Sequence, residues 1–488
     1  MGNKRKRQLW YLSALCLLLA LGCLLTACSG GGKPAENTRE QAATEEPDGS
    51  TDGSFDAARD IPSRNLDRDF TILSAWDVSY WLENEDGADQ VADTAYARTL
   101  LAEEKYGVTF YVSNANGDVL PPLQAANMSG DKCYDLVFPH PTEAMTTIMT
   151  KGYYANMAEL DTMNLSADWY NRSQVQNYLT KNNKLYIIAS DLTLNYQGFF
   201  CIVYNRDLYE RFSFAEDMKT LVESGEWTVE KFNELLTETE FTLDGEPTGN
   251  ETYGFLVNSA PSHRWTYAFG ESTLVRKNDG TFEAGLKSAN MTSIAEAYSS
   301  LLYTHGDSVR VESYYNSGIA TSKNVESFRN GHGLFINWDV GSCFTTLHNL
   351  DFKMGYAPLP KLDGNQKEYR TICASGFFAI PQLCVSAEES GLILEFLSAY
   401  SYQYFRQAFF ESVLTRKMSE RLDDYKMLNF LHESKFFDFG YTLDEKETFI
   451  NMLETAVVKN RAPSGVVVIL KSGAASMKQI LEYANNMP

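Results

Sequence analysis

The stretch that decides the fold runs Lys184-Leu-Tyr-Ile-Ile-Ala-Ser-Asp-Leu-Thr-Leu-Asn-Tyr-Gln-Gly-Phe-Phe-Cys-Ile-Val-Tyr-Asn-Arg-Asp-Leu-Tyr209. Its first apolar run, Leu185 to Ala189, is short, β-branched and aromatic, which predicts a strand rather than a helix. A second extended run, Phe199 to Tyr204, stops at Asn205, and Asp207-Leu208-Tyr209 opens a polar helical stretch. Between the two lie Asn195, Tyr196, Gln197 and a glycine. Two strands joined by an aromatic and amide cluster read as a chain leaving one globular body for another. The crossing is the first hinge, with a ligand cleft beside it, and Tyr196 and Gln197 are candidate contacts.

Upstream, Phe70 to Ala75 is a buried strand ending in Trp76-Asp77. A helix from about Thr94 to Tyr106 closes at Gly107, Val108 to Val112 is the next strand, and Asn116-Gly117 is a turn. Tyr134 to Phe138 is a third strand, followed by His140-Pro141-Thr142 and a helix to Lys151. Strand and helix alternating at this spacing predict a parallel sheet, whose ligands meet the carboxyl ends of the strands. Trp76, Asp77 and His140 stand there.

Downstream, Thr228 is a good cap for a helix carrying Val229, Phe232, Leu235 and Leu236. Tyr253 to Val257 is a strand leading to Arg264-Trp265, and Lys277 to Gly280 is a hairpin turn. Phe328 to Asp339 is a helix end, a glycine turn and a strand that delivers Asn337, Trp338 and Asp339. Thr371 to Ile380, with Ser375-Gly376 in its middle, is the second crossing. Helices are expected over Glu388–Phe410, Asp423–Glu433 and Glu445–Val458.

The chain has 488 residues, enough for two lobes, and a formal charge of −22. So acidic a surface argues against nucleic acid or an anionic membrane face as partner. At the N-terminus, Lys4-Arg5-Lys6-Arg7 precedes an apolar run from Leu9 to Leu25 and then Thr26-Ala27-Cys28. A basic region, an apolar core and small residues before a cleavage point form a secretory signal over residues 1–27. Residues 28–68 are rich in Gly, Ser, Thr, Glu and Asp and read as a flexible acidic tether. Cys133, Cys201, Cys343, Cys373 and Cys384 show no C-x-x-C spacing and sit among apolar neighbours, so buried thiols are the default reading.

Leu25-Thr-Ala-Cys28 resembles a bacterial lipobox, which implies a lipid-carrying Cys28 and anchoring on the outer face of the cytoplasmic membrane. Six further stretches, in order, resemble the extracellular solute-binding proteins of ABC importers, in a carbohydrate-type, clostridial-type branch. They are Tyr134 to Phe138, Lys184 to Ile188, Val203 to Tyr209, Gly225 to Thr228, Phe328 to Trp338 and Gly355 to Pro360. The resemblance implies a two-lobed α/β periplasmic-binding-protein-like fold of type II, with hinge strands between the lobes. It places lobe one at 69–197 plus 374–430 and lobe two at 198–373 plus 431–488. It also implies a monomer that hands its solute to permease subunits, without cofactor or metal, and puts a stacking ring at Trp338.

Sugars need aromatic faces for their C–H surfaces and planar amides or carboxylates for their hydroxyls. The expected rims supply both: Trp76, Asp77, His140, Tyr196, Gln197, Arg264, Trp265, Asn337, Trp338, Asp339 and Ser375. The competing readings are a secreted, lipid-anchored glycoside hydrolase and a cell-surface binding module. Against the first, the sequence carries no H-E-x-x-H, G-x-S-x-G, Walker A or EF-hand loop; a paired acid and carboxylate is not excluded by composition.

Overall fold

The computed structural model describes residues 55–487 apart from 77, 79–81, 83–89, 143–144, 194–199, 240–251, 313–321, 348–349, 374 and 416–421. Asp77, Tyr196, Gln197 and the signal, lipidation and most of the tether readings lie outside the described residues. Among those described, no helix is long and apolar enough to cross a membrane.

Strand β1, Arg68–Ser74, buries Phe70, Ile72 and Leu73 and is followed by the helix Gln90–Tyr106. That helix stops at Gly107, whose φ is +61° and where a Cβ would lie 1.9 Å from Asn65 Oδ1, so only glycine turns the chain here. Strands β2, Val108–Asn114, and β3, Leu136–Phe138, flank β1 in a parallel sheet, with Phe70 opposite Phe110 and Ile72 opposite Leu136. Of the expected strand at Leu185–Ala189 only β4, Ile188–Ala189, is laddered, because Asn156 Oδ1 takes the Leu185 amide instead.

A second sheet begins at β5, Phe200–Asn205, and continues with β6, Tyr253–Asn258. A hairpin, β7 (Leu274–Arg276) and β8 (Phe282–Ala284), turns where Lys277 to Gly280 predicted it. The sheet is completed by β9 (Val309–Glu312), β10 (Gly333–Asp339) and β11 (Met354–Ala357), in the order β11-β5-β10-β6-β9. Only β5 runs against its neighbours. Every residue of β5, β6 and β10 is buried, as in a sheet covered on both faces. Thr228 caps the helix Val229–Glu238 through Lys231 N, and that helix buries Phe232, Leu235 and Leu236.

Two large hydrophobic cores follow, with a small third cluster of Tyr267, Ile372, Tyr441 and Ile450. One gathers Phe70, Ile72, Leu136, Ile188, Phe377 and Phe396; the other gathers Ile202, Phe232, Phe255, Phe335, Trp338 and Tyr356. The cores divide the chain differently from the lobe boundaries expected above. Leu274 and Phe282 of the hairpin and Ile480 and Ala484 of the last helix lie in the first core. Phe405, Phe409, Phe410, Leu428 and Leu431 lie in the second. The long helix expected over Glu388–Phe410 opens at a wide turn, Ser401–Phe405, between Ala387–Tyr400 and Arg406–Thr415, where the chain changes core. The helix expected over Glu445–Val458 is replaced at its start by turns, because the Asp444 carboxylate takes the amides of Thr448, Phe449 and Ile450 at 3.1, 2.7 and 3.1 Å.

Three short strands mark the crossings. β12, Thr371–Ile372, pairs in parallel with β14, Lys435–Phe436, and β13, Phe377–Phe378, pairs antiparallel with β4. Thr371 to Ile380 is therefore broken at Cys373–Gly376 rather than continuous. Beside this junction Asp191 is 3% exposed, with His432 Nε2 at 2.8 Å, Lys435 Nζ at 3.4 Å and Arg406 Nη1 at 3.9 Å from its carboxylate. Burial alone would raise its pKa, but His432, Lys435 and Arg406 outweigh burial and hold the carboxyl well below the ordinary carboxylate range. Removing one member of a buried ion cluster costs about 3–5 kcal/mol. Asp191→Asn is expected to lose stability of that order in urea unfolding at neutral pH. The loss shrinks as pH falls below the unfolded carboxylate value near 4, where the wild type surrenders the same contribution.

Candidate functional site

The first rim is built on the carboxyl ends of β1 and β3. Trp76 directly follows the β1 bend, its amide donating to Ser74 Oγ at 3.3 Å, and its ring is 39% exposed. The indole meets Phe138 edge-on at 5.6 Å and the His140 ring at 5.2 Å. Phe138 in turn lies 5.1 Å from Phe378 of β13, so a line of rings runs from Trp76 to the hinge strands. His140 Nδ1 stands 3.3 Å from both the amide and the hydroxyl of Thr142, which orients the imidazole. A large, partly open indole backed by packed rings is a rigid apolar platform with one free face.

The second rim is built on the carboxyl ends of β6 and β10. Arg264, in the helix His263–Ala268, is 8% exposed; its guanidinium lies 4.4 Å from the Phe200 ring centroid and donates to Ile372 O at 3.3 Å. One side chain thus touches β12 and the first residue of β5. Asp339 caps the helix Val340–Thr346, accepting from Ser342 N at 2.6 Å. Burial pushes its carboxyl up to about 6, against the opposing pull of the Ser342 bonds and Arg264. Asn337 closes a two-bond ring with Asn258, accepting from its amide at 2.6 Å and donating to its carbonyl at 2.9 Å. That pairing locks the end of β10 to the end of β6 and uses the amide fully on the backbone.

Trp265 and Trp338 are each 1% exposed. Trp265 packs between Phe269 and Tyr298, at 5.5 and 5.3 Å, while Trp338 donates its Nε1 to Thr346 Oγ1 at 3.1 Å inside the second core. Neither presents a ring face to a solute in this conformation. The reason is topological: β10 is a central strand with both faces covered, so its tryptophan has no solvent side. Ser375 is half-buried in the break between β12 and β13, and its carbonyl lies 3.8 Å from Cys373 Sγ.

The structure therefore brings the expected residues together in two sets, Trp76 with His140, and Arg264 with Asn337 and Asp339. His263 and Tyr441 were not singled out by the sequence, yet their rings meet at 5.6 Å next to Arg264. Tyr441 belongs to the stretch 438–450, whose backbone is tied up by Asp438 and Asp444; no periodicity announces such a segment. Thr146 N donates to Glu445 Oε1 at 2.7 Å, so that stretch also touches the helix Met145–Thr150 near His140. No group of three or more metal-ligating side chains occurs among the described residues. The five cysteines described are unpaired, with Cys133 exposed and the others buried.

No protein-family model matches this chain. No curated protein matches it by sequence. Solved structures do match it by shape. The galacto-N-biose-/lacto-N-biose I-binding protein of the ABC transporter from Bifidobacterium longum, in complex with lacto-N-biose, superposes with a TM-score of 0.56 at 12% identity, covering 84% of this chain and 97% of that one. A sugar transporter of Rhizobium etli in an open conformation gives 0.53 at 12% identity, covering 86% and 100%. This is the fold of the family 1 extracellular solute-binding proteins. One so described, from Bifidobacterium longum subsp. infantis, gives 0.51 at 12% identity over 84% of this chain and 99% of that one. Their two-lobed α/β architecture accounts for the two sheets and two cores described above.

Because Asn caps a helix about as well as Asp, Asp339→Asn isolates the charge from the cap. Asp339 binds its proton more tightly folded (about 6) than unfolded (about 4), so it makes wild-type stability fall as pH rises through that window. The variant is expected to show a flatter stability profile between those pH values, read from chemical denaturation at a series of pH values.

Proposed function

We propose that this chain is the membrane-anchored extracellular substrate-binding protein of an ABC transporter, capturing a sugar or oligosaccharide by lobe closure and delivering it to the permease. The observation that carries this reading is the placement of a partly exposed indole on one sheet's carboxyl edge and a buried arginine and aspartate on the other's, in a fold whose solved examples include a lacto-N-biose complex. The lobes follow the two cores, near the boundaries 69–197 plus 374–430 and 198–373 plus 431–488 but exchanging the hairpin and helix segments named above. On this reading the ligand cleft lies between the rims, Ser375 is a further candidate contact, and Asp77, Tyr196 and Gln197 are candidates from the sequence alone, outside the described residues.

The mechanism is differential binding. A solute touching both rims favours the closed arrangement by its extra contacts there, and a ligand bound equally well to open and closed forms would close nothing. A micromolar dissociation constant corresponds to about −8 kcal/mol. One stacked ring and a few charge-assisted hydrogen bonds supply an energy of that order, and no covalent step enters.

Two measurements test it. Trp76→Ala is expected to weaken oligosaccharide binding by about tenfold or more with little change in melting temperature, and the wild type is expected to show a ligand-induced thermal shift with no hydrolysis product. Product formation would return the chain to the glycoside hydrolases. Separately, Cys28→Ala is expected to release the protein from the membrane fraction and abolish labelling by a palmitate analogue. Retention in the membrane would mean an uncleaved span instead.

A further inference from the structure

A second groove, about 1200 Å³ in volume, flanks the β12–β14 ladder and shares no lining residue with the two rims. Its walls come from both cores, with Tyr170 on the first and Val222 and Tyr369 on the second. Lys361 projects into it. The Lys361 backbone is pinned on both sides, its amide donating to Trp227 O at 3.1 Å and its carbonyl accepting from Val229 N at 2.9 Å. The residue is 5% exposed, yet among the described residues no carboxylate lies within ion-pairing distance of its ammonium, which rests 5.2 Å from the Tyr369 ring centroid. Gly225 makes room for it: a Cβ there would lie 3.0 Å from Nζ. Arg370 is the neighbouring cation, stacked 4.8 Å from the Phe436 centroid and donating to Gly270 O at 3.2 Å, again with no carboxylate partner. Tyr369 Oη, between them in sequence, is buried without a hydrogen bond.

Lys361 is buried and Arg370 half-buried, and neither has a carboxylate partner among the described residues, in a chain with 64 acidic against 42 basic residues. Of the four acids that line the groove, three are paired elsewhere, Asp168 with Arg172, Glu223 with Lys219 and Glu433 with Arg406 and His432, while the fourth, Glu368, is exposed and makes no ion pair with Lys361 or Arg370. A buried cation in contact with an open groove is stabilised by an anion brought from outside. The volume is many times that of a simple ion, and the rings of Tyr402, Phe430 and Phe436 give apolar faces for C–H surfaces. We infer that this groove is a second binding site, taking an oligosaccharide that carries a carboxylate, with its acid group on Lys361 and Arg370. Because the walls belong to both cores, a chain bound there ties the two bodies together at the ladder. The site does not depend on the cleft reading.

The test is calorimetric titration of the full chain with trigalacturonate, and with maltotriose as the neutral counterpart, at low and high salt. Trigalacturonate is expected to bind with salt-sensitive affinity. Lys361→Ala and Arg370→Gln are each expected to weaken it at least about tenfold, while Trp76→Ala leaves it unchanged. Circular dichroism and melting curves of each variant confirm that it folds. No binding of trigalacturonate, unchanged affinity in both cation variants, loss of binding in Trp76→Ala, or equal binding of oligoglutamate would each overturn the proposal. The effect of Trp76→Ala on maltotriose reports on the cleft alone, so the two readings fail separately.

Discussion

A single buried carboxylate holds the crossing region together. Asp191 stands two residues beyond β4, and the groups that neutralise it arrive from other passes of the chain: His432 from the end of one helix, Lys435 from β14 and Arg406 from the start of another helix. An anion taken out of water costs several kcal/mol unless its partners are in place, so the passes are held in one mutual arrangement. Lys435 Nζ also lies 2.7 Å from His432 Nε2, which makes the cluster a network rather than a set of pairs. This is why the crossings are short ladders of two residues instead of long linkers: their geometry is set by charge pairing as much as by backbone bonds.

From that constraint the position of the candidate cleft follows. β12 lies beside the beginning of β5, where Thr371 Oγ1 reaches Phe200 O at 3.5 Å, and Arg264 spans the same place from the second body. The carboxyl ends of β6 and β10 are thus brought to the junction. β5, β6 and β10 are buried along their whole length, so Asn258, Asn337 and Asp339 at those ends are themselves enclosed. The charged and amide groups there are rigid because each is already bonded to backbone, Asp339 to Ser342 and Asn337 to Asn258.

The two faces of the junction differ in chemistry. On the rim side the cation Arg264 has an acid nearby in Asp339 and a ring beneath it. On the groove side Lys361 and Arg370 rest on rings, and among the described residues neither makes an ion pair with the acids that line the groove. The first arrangement suits hydroxyl-rich neutral molecules, whose hydrogen bonds need both donors and acceptors. The second is short of negative charge. That asymmetry could not be guessed from an overall charge of −22, because it depends on which cations burial separates from the acids.

Much of this was readable in the chain itself. The alternation around Phe70, Val108 and Leu136 predicted a parallel sheet, the run from Phe199 to Tyr204 predicted an extended strand, found at Phe200–Asn205, and Thr228 and Gly107 marked helix ends, because each is a local matter of periodicity, capping or φ. The strand and helix ends that carry Trp76, His140, Arg264 and Asp339 were legible, because such ends are short-range signals. Whether Trp338 and Trp265 face solvent or core was not: a tryptophan near a strand end reads the same either way, and the sheet that encloses Trp338 is assembled from strands spread over residues 200–357. The Asp191 cluster and the 438–450 segment were invisible for the same reason, since carboxylates choose partners by proximity in space. Sequence determined which segments are strands, helices and turns, because those preferences act over a few residues. Tertiary structure alone decided which rings stay open and which charges go unmatched, because burial is a property of the packed whole.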